Sequence, residues 1–394
     1  MNNMFPLNHT QQENHTTFSS PHGEAGRGFL PFRAEHMGLA MLFIMLFHIP
    51  LAMSDPFYGL KRMGNIGVDI FLFLSGIGLA HSWNKQRSSL QHTSASNPSP
   101  LLLQTHFVRR SEQARAWRGL GRFYRRRILR LYPAWLIVAF IYYVVLHYNH
   151  RPLYTLGELL FGYGFWQRDE LAFWFIPAIL VLYLVTPFIL ELQRRYKAAR
   201  WLFLLAIAWC FAVQYVPAIH AAVGHLEIFW SRVPIFLLGL TLPTWMSPAE
   251  IKKEKIKDGT PPQQEKHIKY SSPWGRLGGV LLLLFCIWLE QTHHGQFPIF
   301  YERLLYIPIV LAWVLLTPPL FRRLPALLLR ALAWIGGISL ECYLLHVQIV
   351  MMVIMRPHIH APLHYWTYAI ISIALTLPLA KLLSVLTKPK TFHF

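Results

Sequence analysis

MGLAMLFIMLFHIPLAM, the stretch from Met37 to Met53, is the first long apolar segment of the chain and sets its class of fold. About twenty apolar residues cross a bilayer as a helix, and this run, extended to Asp55, approaches that length. His48 is the only ionisable residue in it. An ionisable side chain at such a depth is costly unless it is paired or hydrated, so the stretch predicts a functional site at His48. The alternative is a histidine that makes one interhelical hydrogen bond.

The composition is that of a membrane protein. Of the 394 residues, 54% are hydrophobic and 14% are charged, whereas soluble domains have roughly 25% charged residues. The formal net charge of +19 also fits a nucleic-acid-binding protein. The basic residues cluster between apolar runs, however, so we expect no nucleic-acid partner. The three cysteines lie in separate apolar runs, which predicts neither a metal site nor a disulfide framework.

Ten apolar runs are candidate membrane spans. They lie near residues 35–54, 64–83, 128–147, 171–190, 201–220, 228–246, 276–291, 301–320, 329–354 and 365–387. A further apolar stretch, Leu153–Trp166, is a candidate for the membrane interface. Lys and Arg are concentrated in every second loop and are sparse in the others. This alternation follows the positive-inside rule and predicts that both termini are cytoplasmic.

The sequence therefore predicts an all-α membrane protein, a polytopic bundle of about ten transmembrane helices with both termini cytoplasmic. Residues 1–30 are polar and lack the apolar core of a signal peptide, so we expect a disordered cytoplasmic leader. Residues 31–390 are expected to form one membrane-embedded domain. Flexible cytoplasmic loops are expected at 84–121 and 247–275, which contain polar stretches with few apolar residues.

Asp69 is the carboxylate that we expect beside His48. With a rise of about 1.5 Å per helical residue, the two side chains lie at a similar depth below the outer ends of the first two spans. Helices joined by a short loop usually pack together. A carboxylate at this place would hold the imidazole in one tautomer and raise its basicity. The alternative is that Asp69 caps the start of the second span.

The ninth span carries GGISLECYLLHV, Gly336–Val347. By the same estimate of depth, His346 lies at the level of His48, while Glu341 lies near the middle of the bilayer, where a carboxylate needs a partner or a proton. A buried polar network is the alternative role of Glu341. Trp174, at the outer start of the fourth span, is either an interfacial belt residue or a platform on which substrate stacks.

Two arginines mark the start of the third span, in FYRRRILRLYP, Phe123–Pro133. Arg127 and Arg130 are three residues apart and therefore share one helical face at the membrane boundary. Two guanidinium groups on one face suit the bidentate capture of phosphates. The alternative is that these residues only follow the topology rule, which favours basic residues at cytoplasmic helix ends.

Five segments resemble, in this order, the motifs of the acyltransferase-3 family of multi-span membrane O-acyltransferases. They are GLAMLFIMLFH at 38–48, GVDIFLFLSG at 67–76, RRRILRLYPAW at 125–135, FWFIPAIL at 173–180 and ISLECYLLH at 338–346. The segments extend from the first span to the ninth, so the resemblance covers nearly the whole chain.

The resemblance implies transfer of an acyl group, most often acetyl from acetyl-CoA, to a hydroxyl of a carbohydrate or another envelope acceptor. His48 matches the essential histidine of the family. Arg127 and Arg130 match its Arg-x-x-Arg pair, to which binding of the CoA phosphates is ascribed. Asp69 matches a further motif position. The residues expected to contact substrate are Trp174, Glu341, Tyr343 and His346.

One position departs from the family pattern. The family places an arginine eleven residues before the histidine, and this chain has Met37 there. Arg33, one turn earlier on the same helical face, and His36, beside Met37, are candidates for the missing role. The alternative is that this chain lacks the role. We therefore expect Arg33 to join Arg127 and Arg130 in binding the donor.

The resulting hypothesis is an O-acyltransferase of the inner membrane, with acyl-CoA as donor and no permanently bound cofactor. His48, oriented by Asp69, acts as general base on an acceptor hydroxyl or transiently carries the acyl group. The competing hypothesis is a proton-coupled secondary transporter or flippase of envelope precursors, in which His48, Asp69 and Glu341 relay protons. It requires an internal repeat and paired broken helices. A catalytically silent relative that scaffolds envelope assembly is a third hypothesis.

Overall fold

The computed structural model of the protein describes residues 31–95, 105–147, 150–168, 170–245, 273–293, 299–356 and 365–388. In that part of the chain all regular elements are helices, and there is no strand. Six helices are long and apolar enough to cross a membrane, and two bent pairs of helices make two further candidate spans. The prediction of an all-α, multi-pass membrane protein is therefore confirmed.

The helices are numbered here in chain order over the described residues. They are α1 (Arg33–Phe47), α2 (Tyr58–Met63), α3 (Ile66–Ala95), α4 (Thr105–Phe140, extended by a π-helical turn, Ile141–Leu146), α5 (Pro152–Phe161), α6 (Tyr163–Arg168), α7 (Phe175–Arg195), α8 (Leu202–Tyr215), α9 (Pro217–Val223), α10 (Glu227–Trp230), α11 (Val233–Trp245), α12 (Pro273–Thr292), α13 (Ile299–Leu316), α14 (Pro318–Phe321), α15 (Ala326–Gly337), α16 (Ser339–Leu345, extended by the π-helix His346–Met355) and α17 (Tyr365–Leu386). Short 3₁₀ turns precede α8 and α10.

The count of ten spans stays a prediction, because helix length and composition support six to eight. The two predicted spans without this support coincide with α1, which has 15 residues, and with α13, of which Arg303–Leu316 qualifies only as a shorter apolar helix. Both are shorter than the roughly twenty residues that cross a bilayer. The cytoplasmic position of the termini also stays a prediction.

α1 ends earlier than the apolar run that predicted it. The helix stops at Phe47, and His48 is its C-terminal cap. Pro50 follows two residues later, and a proline disfavours the helical conformation of the residue before it. The prediction of a continuous helix through His48 is therefore wrong. The imidazole lies at a helix end and is exposed.

The predicted loop at 84–121 is largely helical in the described residues. α3 continues to Ala95 and α4 begins at Thr105. Residues 84–95 and 105–121 contain no proline. Arg, Gln and Ala, which favour helices, are frequent in them.

Two other predicted segments fall mainly on residues that are not described. The leader at 1–30 and loop residues 247–272 lie outside the described part of the chain, and Pro273 already belongs to α12. The apolar stretch Leu153–Trp166 forms α5 and most of α6, each too short to cross a membrane.

α1 packs on α15 with backbone in contact with backbone. A Cβ atom added to Gly38 would meet the carbonyl oxygen of Leu332 at 1.9 Å, and one added to Gly336 would meet that of Ala34 at 2.1 Å. Small residues allow membrane helices to approach this closely, and packing then holds the pair. The contact fixes α1 on α15, and with it the position of His48 at the end of α1.

We predict that Gly336→Ala destabilises the protein, because the new methyl group has no space against α1. Overpacking of this kind costs about 1 to 3 kcal/mol. Thermal unfolding of the purified protein in detergent measures the effect. Gly337→Ala is the matched control, since a Cβ at that position meets no atom within 4 Å. Equal unfolding temperatures for the two variants would contradict the close contact.

Candidate active site

His48 and His346 form the centre of the candidate site. Their ring centroids are 5.0 Å apart in an edge-to-face arrangement, and Nε2 of His346 is 3.4 Å from Nδ1 of His48. His346 is 1% exposed, whereas His48 is exposed. The expectation that these two side chains share one level of the bundle is confirmed.

Backbone carbonyls define the tautomers of both histidines. Nδ1 of His48 lies 2.8 Å from the carbonyl oxygen of Ile44, and Nδ1 of His346 lies 2.9 Å from that of Tyr343. A carbonyl oxygen only accepts, so each Nδ1 carries the hydrogen in the neutral ring. His48 therefore holds the lone pair of its Nε2 ready to accept a proton, and Nε2 of His346 turns its own lone pair toward Nδ1 of His48.

A sharp break in the helical chain presents His346. α15 and α16 meet at Ile338 with a bend of 65°, and the chain changes from α-helix to π-helix at His346. π-helical turns are rare and occur frequently at functional sites. The break and the wider turn together place the buried imidazole against the end of α1.

Two more residues of α16 bind neighbouring helices. Glu341, 1% exposed, accepts two hydrogen bonds from the Arg130 guanidinium of α4, at 2.5 and 3.2 Å. The hydroxyl of Tyr343 accepts a hydrogen bond from the backbone N–H of Phe175, at 3.1 Å, where α7 begins. Glu341, Tyr343 and His346 thus each join α16 to a different helix.

Three arginines surround the phenol of Tyr183, a half-buried residue of α7. Its hydroxyl interacts electrostatically with Arg127, Arg130 and Arg33. Arg127 donates to the hydroxyl of Ser82 at 2.8 Å, and its guanidinium lies 3.8 Å from the centroid of the Phe123 ring. The structure therefore brings together the three cations that the sequence singled out, and Tyr183 is the residue among them that sequence reasoning missed.

The two candidates for the role of the missing arginine at Met37 have different environments. Arg33 donates from Nε and Nη2 to the carbonyl oxygen of Leu74, at 3.4 and 3.3 Å, and it belongs to the arginine cluster. His36 is buried, with its ring bonded to Phe32 and to the Thr317 hydroxyl, 2.8 Å away. Of the two, Arg33 is placed beside Arg127 and Arg130.

Asp69 faces an arginine and not His48, so the predicted Asp69–His48 pair is corrected. Oδ2 of Asp69 lies 3.8 Å from Nε of Arg232, and the two side chains are 1% and 2% exposed. Neither carboxylate oxygen has a hydrogen-bond partner among the described residues. The ring of His48 is bonded to Ile44 and His346.

Arg232 connects Asp69 to Trp174. The Arg232 guanidinium lies 5.1 Å from the centroid of the Trp174 ring and donates to the side-chain oxygen of Asn65 at 2.7 Å. Arg303 extends the cluster, since it interacts with Asp69 and lies 3.9 Å from Glu227. The sequence analysis did not select Arg232 and Arg303 as site residues. Each is an ionisable residue in or beside a predicted span, and that position alone indicates a functional site.

The segment that holds Trp174 has an unusual backbone. Phe173 has φ of 56°, a left-handed conformation that is uncommon for a residue other than glycine. The Phe173 ring is buried and packs 5.2 Å, centroid to centroid, from Trp135. This packing holds the strained residue in place, so that Trp174 extends to Arg232.

Comparison with known proteins gives a family for the chain. A family model described as an acyltransferase domain, that of acyltransferase-3, matches residues 38–385. The chain belongs to the acyltransferase-3 family. No curated protein and no solved structure matches it in the comparisons made. Members of the family transfer acyl groups, so the protein is a membrane acyltransferase. The matched residues of this acyltransferase include both histidines of the site and begin five residues after Arg33.

We predict that Asp69→Asn and Arg232→Gln each destabilise the acyltransferase, because either change takes the nearest opposite charge away from a buried charge. Such a loss costs about 3 to 5 kcal/mol for a buried pair. The double variant should lose less than the sum of the single losses, by about 1 kcal/mol or more, because the two residues interact. Denaturant unfolding in detergent gives all three values. The same cycle on the exposed pair Glu191 and Arg194 should give a coupling below about 1 kcal/mol, and additive effects at Asp69 and Arg232 would contradict the pairing.

Proposed function

We propose that the enzyme is an O-acyltransferase that moves an acyl group, acetyl above all, from acyl-CoA to a hydroxyl of an envelope carbohydrate or a related acceptor. The observation that carries the proposal is the pair His48 and His346. It provides an exposed imidazole with a free Nε2 and a fixed tautomer, held by a second, buried imidazole. A base in this state suits the activation of a hydroxyl group.

The reaction follows from that lone pair. Nε2 of His48 removes the proton of the acceptor hydroxyl as its oxygen attacks the carbonyl carbon of the thioester. The bond from carbon to sulfur breaks, and the thiolate takes the proton from His48, which leaves an ester and free CoA. His346, with its lone pair toward Nδ1–H, stabilises the protonated His48 ring during the step. A covalent acyl-His48 intermediate is the other route, and ping-pong kinetics would identify it.

The donor extends between two parts of the molecule. Arg33 and His48 mark the two ends of α1, 15 residues apart, which is about 22 Å at 1.5 Å per residue. Phosphates at the arginine cluster and a thioester at His48 therefore require an elongated donor. Acyl-CoA has this shape, with its phosphates at one end and its thioester at the other.

The proposal includes an orientation in the inner membrane. The loops rich in Lys and Arg face the cytoplasm, both termini are cytoplasmic, and the arginine cluster receives the donor from that side. His48 and Trp174 then lie toward the opposite side, where the envelope acceptor approaches. Ten crossings are consistent with this orientation if α1 and α13 also cross the membrane as short helices.

The transporter hypothesis has one observation in its favour. Two spans are broken, α9–α10 against α11 by 50° and α15 against α16 by 65°, and secondary transporters have paired broken helices. The second of these bent spans contains His346, which has a role in the acyltransferase proposal. Solute counterflow in proteoliposomes without acyl-CoA would support transport.

We predict that His48→Ala abolishes acyl transfer, because it removes the exposed imidazole of the pair and leaves only the buried ring of His346. The loss should reach 10²-fold or more, the usual contribution of general acid–base catalysis. Transfer of label from radiolabelled acetyl-CoA to the envelope fraction, and hydrolysis of acetyl-CoA by the purified protein, are the two readouts. His81→Ala changes an exposed histidine of α3 outside the site and should be without effect. Full activity in His48→Ala would contradict the proposal.

For His346→Asn we predict a lower kcat with a KM for acyl-CoA that changes by less than about twofold. His346 contacts the base and not the arginine cluster, so its loss affects the chemical step and not donor binding. Steady-state kinetics in detergent separate the two constants. A variant with raised KM and unchanged kcat would contradict this role.

A further inference from the structure

A cleft at the end of the bundle that holds Arg127 is lined by residues that no motif singled out. It has an empty volume of about 740 Å³, open solvent included. Its walls come from the C-terminal parts of α3, α7 and α11 and from the turn before α8. The residues that matter to its chemistry are Trp83, Arg87, Glu191, Gln193, Arg194 and Arg200.

The cleft has an excess of positive charge. Among the described residues, its lining includes three guanidinium groups, those of Arg87, Arg194 and Arg200, and one carboxylate, that of Glu191. Glu191 is shared, because Arg87 and Arg194 both pair with it. Guanidinium groups bind phosphate through two parallel hydrogen bonds. Because Arg87 and Arg194 share a single carboxylate, this pair of guanidinium groups keeps a positive charge that attracts a phosphate group.

A buried hydrogen-bond acceptor lines the same cleft. Gln193 is 1% exposed, and its Nε2 donates to the hydroxyl oxygen of Thr241 at 2.8 Å. That hydroxyl donates to the carbonyl oxygen of Leu237, so it can only accept from Gln193, which fixes the orientation of the amide. Oε1 of Gln193 is left without a hydrogen-bond partner among the described residues. A ligand group with an N–H donor would satisfy it.

The cleft adjoins the arginine cluster of the candidate site. Trp83 of the cleft wall packs edge to face on Phe123, 5.4 Å between centroids, and the Phe123 ring also contacts the Arg127 guanidinium. Ser82, next to Trp83 in sequence, accepts a hydrogen bond from Arg127. The ring of Phe123 therefore lies between the cleft wall and Arg127, which makes the cleft a close neighbour of the arginine cluster.

We propose that this cleft binds the nucleotide end of the acyl donor, a phosphate-bearing ligand whose base carries an amino group. Arg87, Arg194 and Arg200 contact the phosphate, Trp83 offers an aromatic surface to the base, and Oε1 of Gln193 accepts from the amino group. The assignment rests on the proposed use of acyl-CoA, whose adenosine 3′,5′-bisphosphate end has both features. An anionic lipid headgroup has the phosphate but no such base.

Binding is tested on the purified full-length protein in detergent with adenosine 3′,5′-bisphosphate as the probe, by isothermal titration calorimetry. Arg87→Gln and Arg194→Gln should each raise Kd about tenfold, since each removes a charged donor to phosphate. Arg195→Gln is the matched control, because Arg195 is exposed on the same helix, packs on Tyr196 and does not line the cleft; it should leave Kd unchanged. Equal Kd values in all variants overturn the proposal.

The contact between Gln193 and the base is tested with a ligand analogue on the wild type. The result then does not depend on whether a variant folds. Purine riboside 3′,5′-bisphosphate has hydrogen in place of the amino group and no other N–H on its base. It should bind the wild type about tenfold more weakly, because Oε1 of Gln193 then stays unsatisfied. Equal affinity for the two nucleotides overturns the assignment of Gln193. Phosphatidylglycerol added to the micelles tests a lipid headgroup as the ligand. If this lipid binds in a way that depends on Arg87 and Arg194, and the nucleotide does not bind, the assignment to the donor is overturned.

Turnover separates this proposal from the proposed function. If wild type transfers acyl groups from acyl-CoA, Arg87→Gln and Arg194→Gln should raise the KM for acyl-CoA about tenfold and leave kcat within about twofold. An unchanged KM in an active enzyme overturns the cleft assignment alone. Nucleotide binding without any acyl transfer overturns the proposed reaction, while the binding experiment still supports the cleft.

Discussion

α16 is the short helix on which the geometry of the site depends. Its α-helical part has seven residues, and the π-helix that extends it begins at His346. Together they bind three neighbours: Glu341 binds Arg130 of α4, Tyr343 binds the start of α7, and His346 contacts His48 at the end of α1. Between helices in a bilayer there is little hydrophobic driving force, so packing and interhelical hydrogen bonds decide how they associate. A displacement of α16 would therefore move its contacts with Arg130 and with His48 together.

The position of α16 is set in turn by the contact of α1 with α15. Gly38 and Gly336 leave no space for a Cβ atom, so the two backbones have one way to meet. α1 carries His48 at its end, and α15 leads through the bend at Ile338 into α16 and His346. The positions of both imidazoles thus depend on the contact between α1 and α15. This contact explains how two residues 298 positions apart in the chain lie with their ring nitrogens, Nδ1 of His48 and Nε2 of His346, 3.4 Å from each other.

The sequence predicts the candidate site residues more readily than it predicts which of them contact each other. Depth along a helix follows from counting residues, and it correctly placed His346 at the level of His48. The lateral order of helices has no such signal, so Asp69 was assigned to the helix before it in the chain, although its partner Arg232 precedes α11. Tyr183 was missed for a related reason, because a tyrosine in an apolar span has no sign of the arginines around it until the helices are packed.

The three arginines of the cluster differ in how much charge they can offer a ligand. Glu341 is buried and keeps its charge compensated by Arg130, and removing the partner of a buried charge is costly. Arg127 and Arg33, by contrast, bind neutral groups, the Ser82 hydroxyl and the Leu74 carbonyl oxygen. The positive charge available to an anion therefore lies on Arg127 and Arg33. Arg33 thus supplies, one turn earlier, a cation that Met37 does not, and Arg130 contributes mainly by holding α16 against α4.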